Sequence, residues 1–198
     1  MTRVTLIDYG AGNLRSLRAA FERLGAAVET TSDAVRVQRA RMLVLPGVGA
    51  AGPAMAALTE GGLAEAIGAS TAPLLGVCLG MQLLYERSLE GEVACHGLLA
   101  GSVEPITWAP QVPHMGWNDV EPAADHPLAS ALPAVCYFAH SYAVSPGGER
   151  RVVVAETDVG GRAVPSVVAD GRVAGVQFHP EKSGPAGRAL LQEWLRAA

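Results

Sequence analysis

A chain of 198 residues is long enough for one α/β domain with a full core. With 49% hydrophobic and 17% charged residues, a net charge of −4 and no run of basic residues, it excludes a nucleic-acid or anionic-membrane surface as its main purpose. No apolar stretch reaches the roughly 20 residues of a membrane span, and three cysteines (Cys78, Cys95, Cys136), odd in number and without metal spacing, fit a reducing cytoplasm.

The chain opens on a strand, Arg3 to Asp8; a signal peptide's apolar region would be longer and free of Asp8. After Tyr9-Gly10-Ala11-Gly12-Asn13, the residues Leu14, Leu17, Phe21 and Leu24 recur at helical spacing, and Gly25 ends that helix. Gly10-Ala11-Gly12 is not a dinucleotide fingerprint, because Arg15 stands where the third glycine belongs and no acidic residue ends the next strand. That strand is Ala27–Thr30, and Arg41–Leu45 is a third, running into Pro46-Gly47-Val48-Gly49. Helical patterns over Ala54–Thr59 and Leu63–Ala69 lead to the strand Leu74–Val77 and a further helix from Leu79 to about Arg87. This alternation predicts an α/β fold whose mostly parallel central sheet is flanked by helices and binds ligands at the strands' carboxyl ends. In the second half, Val135–Val144, Arg151–Ala155, Ala163–Ala169 and Val173–Phe178 read as strands, with a tight turn at Ala169-Asp170-Gly171-Arg172. They predict an antiparallel C-terminal flank before a closing helix, Ala186–Ala198. No linker or repeat divides residues 1–198, which read as one domain.

Gly76-Val77-Cys78-Leu79-Gly80 carries the chemistry. A cysteine between two glycines at a strand end reads as a nucleophile elbow, in which a side chain at Gly76 or Gly80 would strike the neighbouring strand or helix. Cys78 must hold a strained backbone that aims its sulfur outward, and the following helix points its N-terminus at the thiol, favouring a thiolate. About a hundred residues later His179-Pro180-Glu181 offers a base and an orienting carboxylate, which an extended segment would set on one face. A buried inert cysteine, a structural histidine and a simple turn are the bland readings of the three parts. Together, the parts complete one another. Lys182, the only lysine, follows directly; it is either a residue of a solvated loop or an ammonium wanted at that place.

With these motifs the sequence resembles the class I glutamine amidotransferases, and within them the branch that supplies ammonia for imidazole glycerol phosphate in histidine biosynthesis. The resemblance is carried by Asp8–Leu14, Leu45-Pro46-Gly47-Val48-Gly49-Ala50, Gly76–Leu84, Pro113-His114-Met115-Gly116-Trp117-Asn118, His140-Ser141-Tyr142 and Gln177–Ser183. Ala51 departs from the pattern, since many relatives carry an aromatic residue there; it weakens no site assignment. The resemblance implies that Cys78 attacks the side-chain amide of L-glutamine while His179, held by Glu181, protonates the leaving ammonia. It implies an oxyanion hole from the Leu79 N–H and an N–H of the Gly47-Val48-Gly49 loop, at Val48. Gln82, Gly47, Gly49, Ser141 and Tyr142 would hold the substrate. His114 and His140 are expected to serve structural hydrogen bonding. No cofactor or metal is implied. The expected partner is a cyclase subunit with a (β/α)8 barrel, in a heterodimer. Met115 and Trp117 either fill a buried corner or lie near that contact with Lys182. Glutaminases of anthranilate, guanylate or pyridoxal phosphate synthesis usually carry Gly-Gly where Gly47-Val48 stands. A chaperone-like or glyoxalase-like elbow protein would lack His-Pro-Glu, and a silent binding subunit would have lost part of the triad.

Overall fold

Leu43-Val44-Leu45, Leu74-Leu75-Gly76-Val77 and Val173-Ala174-Gly175-Val176 carry no polar side chain, the composition of strands covered on both faces. The computed structural model of the chain describes residues 2–132, 134–148 and 152–197 and places these three runs side by side. They are β3 (Leu43–Leu45), β4 (Leu74–Val77) and β13 (Val173–Val176). With β1 (Arg3–Ile7) and β2 (Ala27–Thr31) they form a parallel array in the order β2-β1-β3-β4-β13. Alternate side chains of this array feed two cores. On one face Leu6, Val44, Leu75 and Val77 pack against Leu17 and Phe21 of α1 (Leu14–Arg23) and Leu190 and Trp194 of α6 (Gly184–Ala197). On the other, Ile7, Leu43, Leu45 and Leu74 meet Leu58 of α3 (Ala51–Glu60) and Ile67 of α4 (Leu63–Ala69).

Beyond β13 the sheet continues through β12 (Arg162–Asp170), β11 (Val153–Val159), β8 (His114–Pro122) and β9 (Ala134–His140), each antiparallel to its neighbour. The expected mostly parallel sheet is therefore mixed, four parallel pairs followed by four antiparallel ones. The reversal occurs at the β12–β13 hairpin, where Gly171 supplies φ +54°.

Two expectations are corrected, and two features were not foreseen. The helix expected from Leu79 to about Arg87 is a single turn, α5 (Leu79–Gln82), because Tyr85 already pairs with Leu99 in a second sheet. That sheet was not foreseen; it runs β10 (Tyr142–Pro146), β7 (Leu99–Pro105), β5 (Tyr85–Ser88), β6 (Val93–Ala94). The strand expected over Val135–Val144 breaks at Ser141 into β9 and β10, which belong to different sheets. A short helix, α2 (Ala34–Gln38), was also missed; the Asp33 carboxylate caps it, accepting from the N–H groups of Val35 and Arg36. The expected starting point Arg151 and end point Ala198 lie outside the described residues. No helix among the described residues is long and apolar enough to cross a membrane.

Candidate active site

Val77 ends β4, between β3 and β13, and Cys78 follows with φ 55° and ψ −113°, a left-handed backbone that a side-chain-bearing residue adopts only under strain. The turn is as tight as the glycines suggest. A Cβ on Gly80 would overlap the Leu45 carbonyl, and one on Gly76 would lie 2.6 Å from the Gly80 oxygen. The loop after β3 is drawn in by the same closeness, since a Cβ on Gly47 would overlap the Gly80 nitrogen. Pro46 at the head of that loop is tied back by Tyr9, whose hydroxyl donates to the Pro46 carbonyl at 2.9 Å. Burial, helped by the charge of Cys78, raises the Tyr9 pKa and keeps the phenol protonated.

The imidazole arrives from the strand beside the elbow. His179 lies just past β13, and its N–H donates to the Tyr137 carbonyl at 2.9 Å, joining the chain after β13 to β9. Its Nδ1 meets Glu181 Oε1 at 3.1 Å, which leaves Nε2 for Cys78. The expected extended His-x-Glu segment is instead a 3-10 turn over Pro180–Lys182, started by the fixed φ of proline. The turn still brings the two side chains together. Ser183 holds it, accepting from the Tyr137 N–H at 3.0 Å and donating to the His179 carbonyl at 2.7 Å. Asn13 donates to the same Glu181 oxygen at 3.3 Å, and the carboxylate side chain is fully enclosed. Burial alone would lower the His179 pKa, but hydrogen bonds and charge from Cys78 and Glu181 outweigh it and lift the imidazole from 6.5 to about 9. The stabilisation from these partners is complete below the ordinary pKa of 6.5 and is lost as pH rises through 9. The positive charge facing the sulfur thus comes from His179; the expected helix dipole contributes little, since α5 is one turn long.

Cys78 opens into a cleft of about 320 Å3. Val48, Gly49, Leu79, Gln82, Ser141, Tyr142, Met115, His179 and Lys182 line it, so most of the expected site residues meet there. Gly47 lies behind the wall against Leu79 and Gly80, and Glu181 lies behind His179. Met115 and Trp117 are 62% and 59% exposed, which removes the buried-corner alternative. Trp117 stacks edge-on to Tyr137 at 6.0 Å, and the Lys182 ammonium sits 5.5 Å from the centre of that ring. His114 and His140 face each other across β8 and β9 and hydrogen-bond at 2.8 Å, and His140 also lines the cleft.

Sequence reasoning missed Glu90, Asn13, Gln177 and Ser183. Glu90 lies in the β5–β6 turn, lines the cleft, and accepts the Ala51 N–H at 2.8 Å, the first N–H of α3. No motif marks it. Asn13, Gln177 and Ser183 stand inside recognised motifs, but only packing across the sheet reveals what they hold. Gln177 accepts from Gln82 at 3.0 Å and faces the Cys78 sulfur at 3.9 Å.

Comparison with known proteins agrees with this geometry. The family model described as glutamine amidotransferase class-I matches residues 5–198. The chain is 46% identical to imidazole glycerol phosphate synthase subunit HisH of Xanthomonas axonopodis pv. citri, with 98% of each chain covered. It is equally similar, at 46% and the same coverage, to HisH of Xylella fastidiosa strain Temecula1. Among solved structures, a glutamine amidotransferase matches with a TM-score of 0.77 at 20% identity, covering 97% of each chain. PurLQS from Thermotoga maritima matches at 0.72 and 20%, over 99% of this chain and 98% of that one; both likenesses concern the fold.

Proposed function

We infer the function from a plain premise: the chain belongs to the class I glutamine amidotransferase family. It hydrolyses glutamine as the ammonia-supplying subunit of imidazole glycerol phosphate synthase, in histidine biosynthesis. Residues 1–198 act as one glutamine amidotransferase domain. The observation that carries the reading is the line Glu181–His179–Cys78 on the floor of a cleft, in a chain 46% identical to HisH proteins over almost its whole length.

The Cys78 sulfur adds to the amide carbon of glutamine, and the resulting oxyanion is held by the N–H groups of Leu79 and Val48. Protonated His179 gives its proton to the leaving nitrogen as the C–N bond breaks, so ammonia departs and a γ-glutamyl thioester remains. A water then gives a proton to the neutral imidazole and attacks the thioester, releasing glutamate and restoring the thiol. Glu181 keeps the imidazole turned the right way and balances its charge. At the other end of the substrate, Glu90 is the carboxylate of the cleft suited to the α-ammonium, while Ser141 and Tyr142 meet the amino-acid end. Because proton donation needs the imidazolium, glutaminase activity is expected to fall above pH 9. In Glu181→Gln that descending limb should move to lower pH; a limb unmoved by the substitution, read from kcat/KM against pH, overturns Glu181's role.

The ammonia passes to a cyclase subunit, a (β/α)8 barrel, in a cytoplasmic heterodimer. The cyclase joins it to a phosphoribosyl carboxamide intermediate and releases imidazole glycerol phosphate and an aminoimidazole carboxamide ribotide. Exposed Met115, Trp117 and Val48 at and beside the cleft support docking on this side. Co-expression with a barrel cyclase tests the reading: the two should co-purify and release glutamate, faster with the nucleotide substrate present. Lack of glutamate release from that complex refutes it. Lys182, which lies over the Tyr137 ring and lines the cleft, acts at the passage between subunits in this reading. Lys182→Ala is expected to lower the ratio of cyclised product to glutamate with little change in thermal stability, and an unchanged ratio removes the gate.

A further inference from the structure

We propose that His114 and His140 are positioning residues for the substrate, holding in place the Tyr142 carbonyl that fixes which end of its side-chain amide Gln82 offers to the cleft. The proposal rests on the glutaminase reading above. Its basis is a hydrogen-bond chain whose direction is set independently from both ends. At the outer end, Asn118 Nδ2 donates to the Asp158 carbonyl at 2.8 Å, and Asn118 Oδ1 accepts from the Asp119 N–H at 2.8 Å, so this amide has one orientation. The second proton on Nδ2 goes to His114 Nε2 at 3.0 Å. Its acceptor nitrogen thus fixed, neutral His114 carries its proton on Nδ1, 2.8 Å from His140 Nε2. At the inner end, the Tyr142 carbonyl can only accept, so His140 Nδ1 donates to it at 2.8 Å and His140 Nε2 is again an acceptor. The two derivations agree at the His114–His140 bond.

The Tyr142 carbonyl held in this way has a second donor. The same carbonyl accepts from Gln82 Nε2 at 3.0 Å, and the second Nε2 proton goes to Gln177 Oε1 at 3.0 Å. Both protons of Gln82 are therefore committed, and among the described residues no hydrogen bond reaches its Oε1. What Gln82 presents to the cleft is an acceptor. Glutamine carries N–H donors on its carboxamide and its α-ammonium, and Oε1 offers them an acceptor that a reversed Gln82 would not. Packing keeps the imidazoles in place: His114 faces His140 across β8 and β9, and the Phe138 ring lies 4.9 Å from one and 5.7 Å from the other. Burial lowers both histidines, His140 to about 4, so the neutral forms that the chain requires persist at neutral pH.

Imidazole nitrogen-15 NMR of the full chain near neutral pH should place both histidines in the Nδ1–H tautomer, with signals assigned through His114→Ala and His140→Ala. In the complex with a cyclase subunit, His114→Ala should raise KM for glutamine roughly tenfold, the loss of one buried hydrogen bond, while kcat changes by less than about threefold. His114→Gln, which accepts from Asn118 and donates to His140 through one neutral side chain, should bring KM back to within about threefold of wild type. An Nε2–H tautomer or a protonated ring at either position, or an unchanged KM in His114→Ala, overturns the proposal. A wild-type complex that releases no glutamate sinks the glutaminase reading instead, and the tautomers, read without substrate, still decide the direction of the relay.

Discussion

Replacing Cys78 by alanine is expected to abolish glutamine hydrolysis, by a factor on the order of 10⁴ or more, because the covalent step has no other nucleophile. Cyclisation driven by added ammonium salts should persist in the complex, since the proposed cyclase subunit would not use this thiol. The sulfur lies on the floor of the cleft, 6% exposed, and Ala fits the same space, so the fold survives the change. Glycine at the same position goes further. With φ at 55° and ψ at −113°, Cys78→Gly removes backbone strain and is expected to be more stable than wild type by about 1–2 kcal/mol, yet equally inactive. Iodoacetamide should label Cys78 ahead of Cys95 and Cys136, whose thiols burial pushes up to about 11. Mass mapping of the alkylated peptides reads this directly. Glutamate release by the alanine variant at a rate near wild type would remove Cys78 as the nucleophile.

Val48→Gly is expected to raise the basal glutaminase rate of the isolated subunit and to shrink its activation by the nucleotide-loaded cyclase. Val48 holds an ordinary negative φ; among the described residues, the non-glycine residues at positive φ are Cys78 and Glu92. Turning the Gly47–Val48 peptide so that its N–H faces an oxyanion swings φ of residue 48 toward the left-handed side, which costs about 1–3 kcal/mol in a β-branched residue. Gly47 cannot move away to relieve this, being pressed against Leu79 and Gly80. The free subunit is therefore expected to hydrolyse glutamine slowly, with binding of the partner and its substrate shifting the population by differential contact. Removing the side chain should recover roughly tenfold in basal rate, from the lower end of that strain. Glutamate release measured alone, with cyclase, and with cyclase plus nucleotide decides it. Full activity in the isolated wild-type subunit refutes the mechanism.

The elbow was legible because its demand is local: overlap at Gly76 and Gly80 can be foreseen from two glycines around a cysteine, and β4 has the bounds read from the sequence. The second sheet was not. Met81 to Arg87 is built of residues that favour helices, and only pairing of Tyr85 with Leu99 and Arg87 with Ser102 overrides that preference. Glu90 was invisible for the same reason, since its place in the cleft depends on the hairpin within that sheet. At Ser141, continuous strand-forming residues hid the point where the chain leaves one sheet for the other. His-Pro-Glu was legible as chemistry but misread as geometry, because proline after an extended histidine can open a turn as readily as continue a strand.

The position of β13 in the sheet has a consequence for the order in which the site comes into being. Nucleophile and base follow neighbouring strands, yet the 95 residues 78–172 lie between β4 and β13. During synthesis the ribosome releases Cys78 long before Val173, and until β13 slots between β4 and β12 the sulfur has no imidazole beside it. A half-made chain thus lacks the base of its triad. Its thiol gains a base only when the last strand closes the centre of the sheet, a late, long-range step in the assembly of the protein. Placing the last strand and giving the thiol its base are one event.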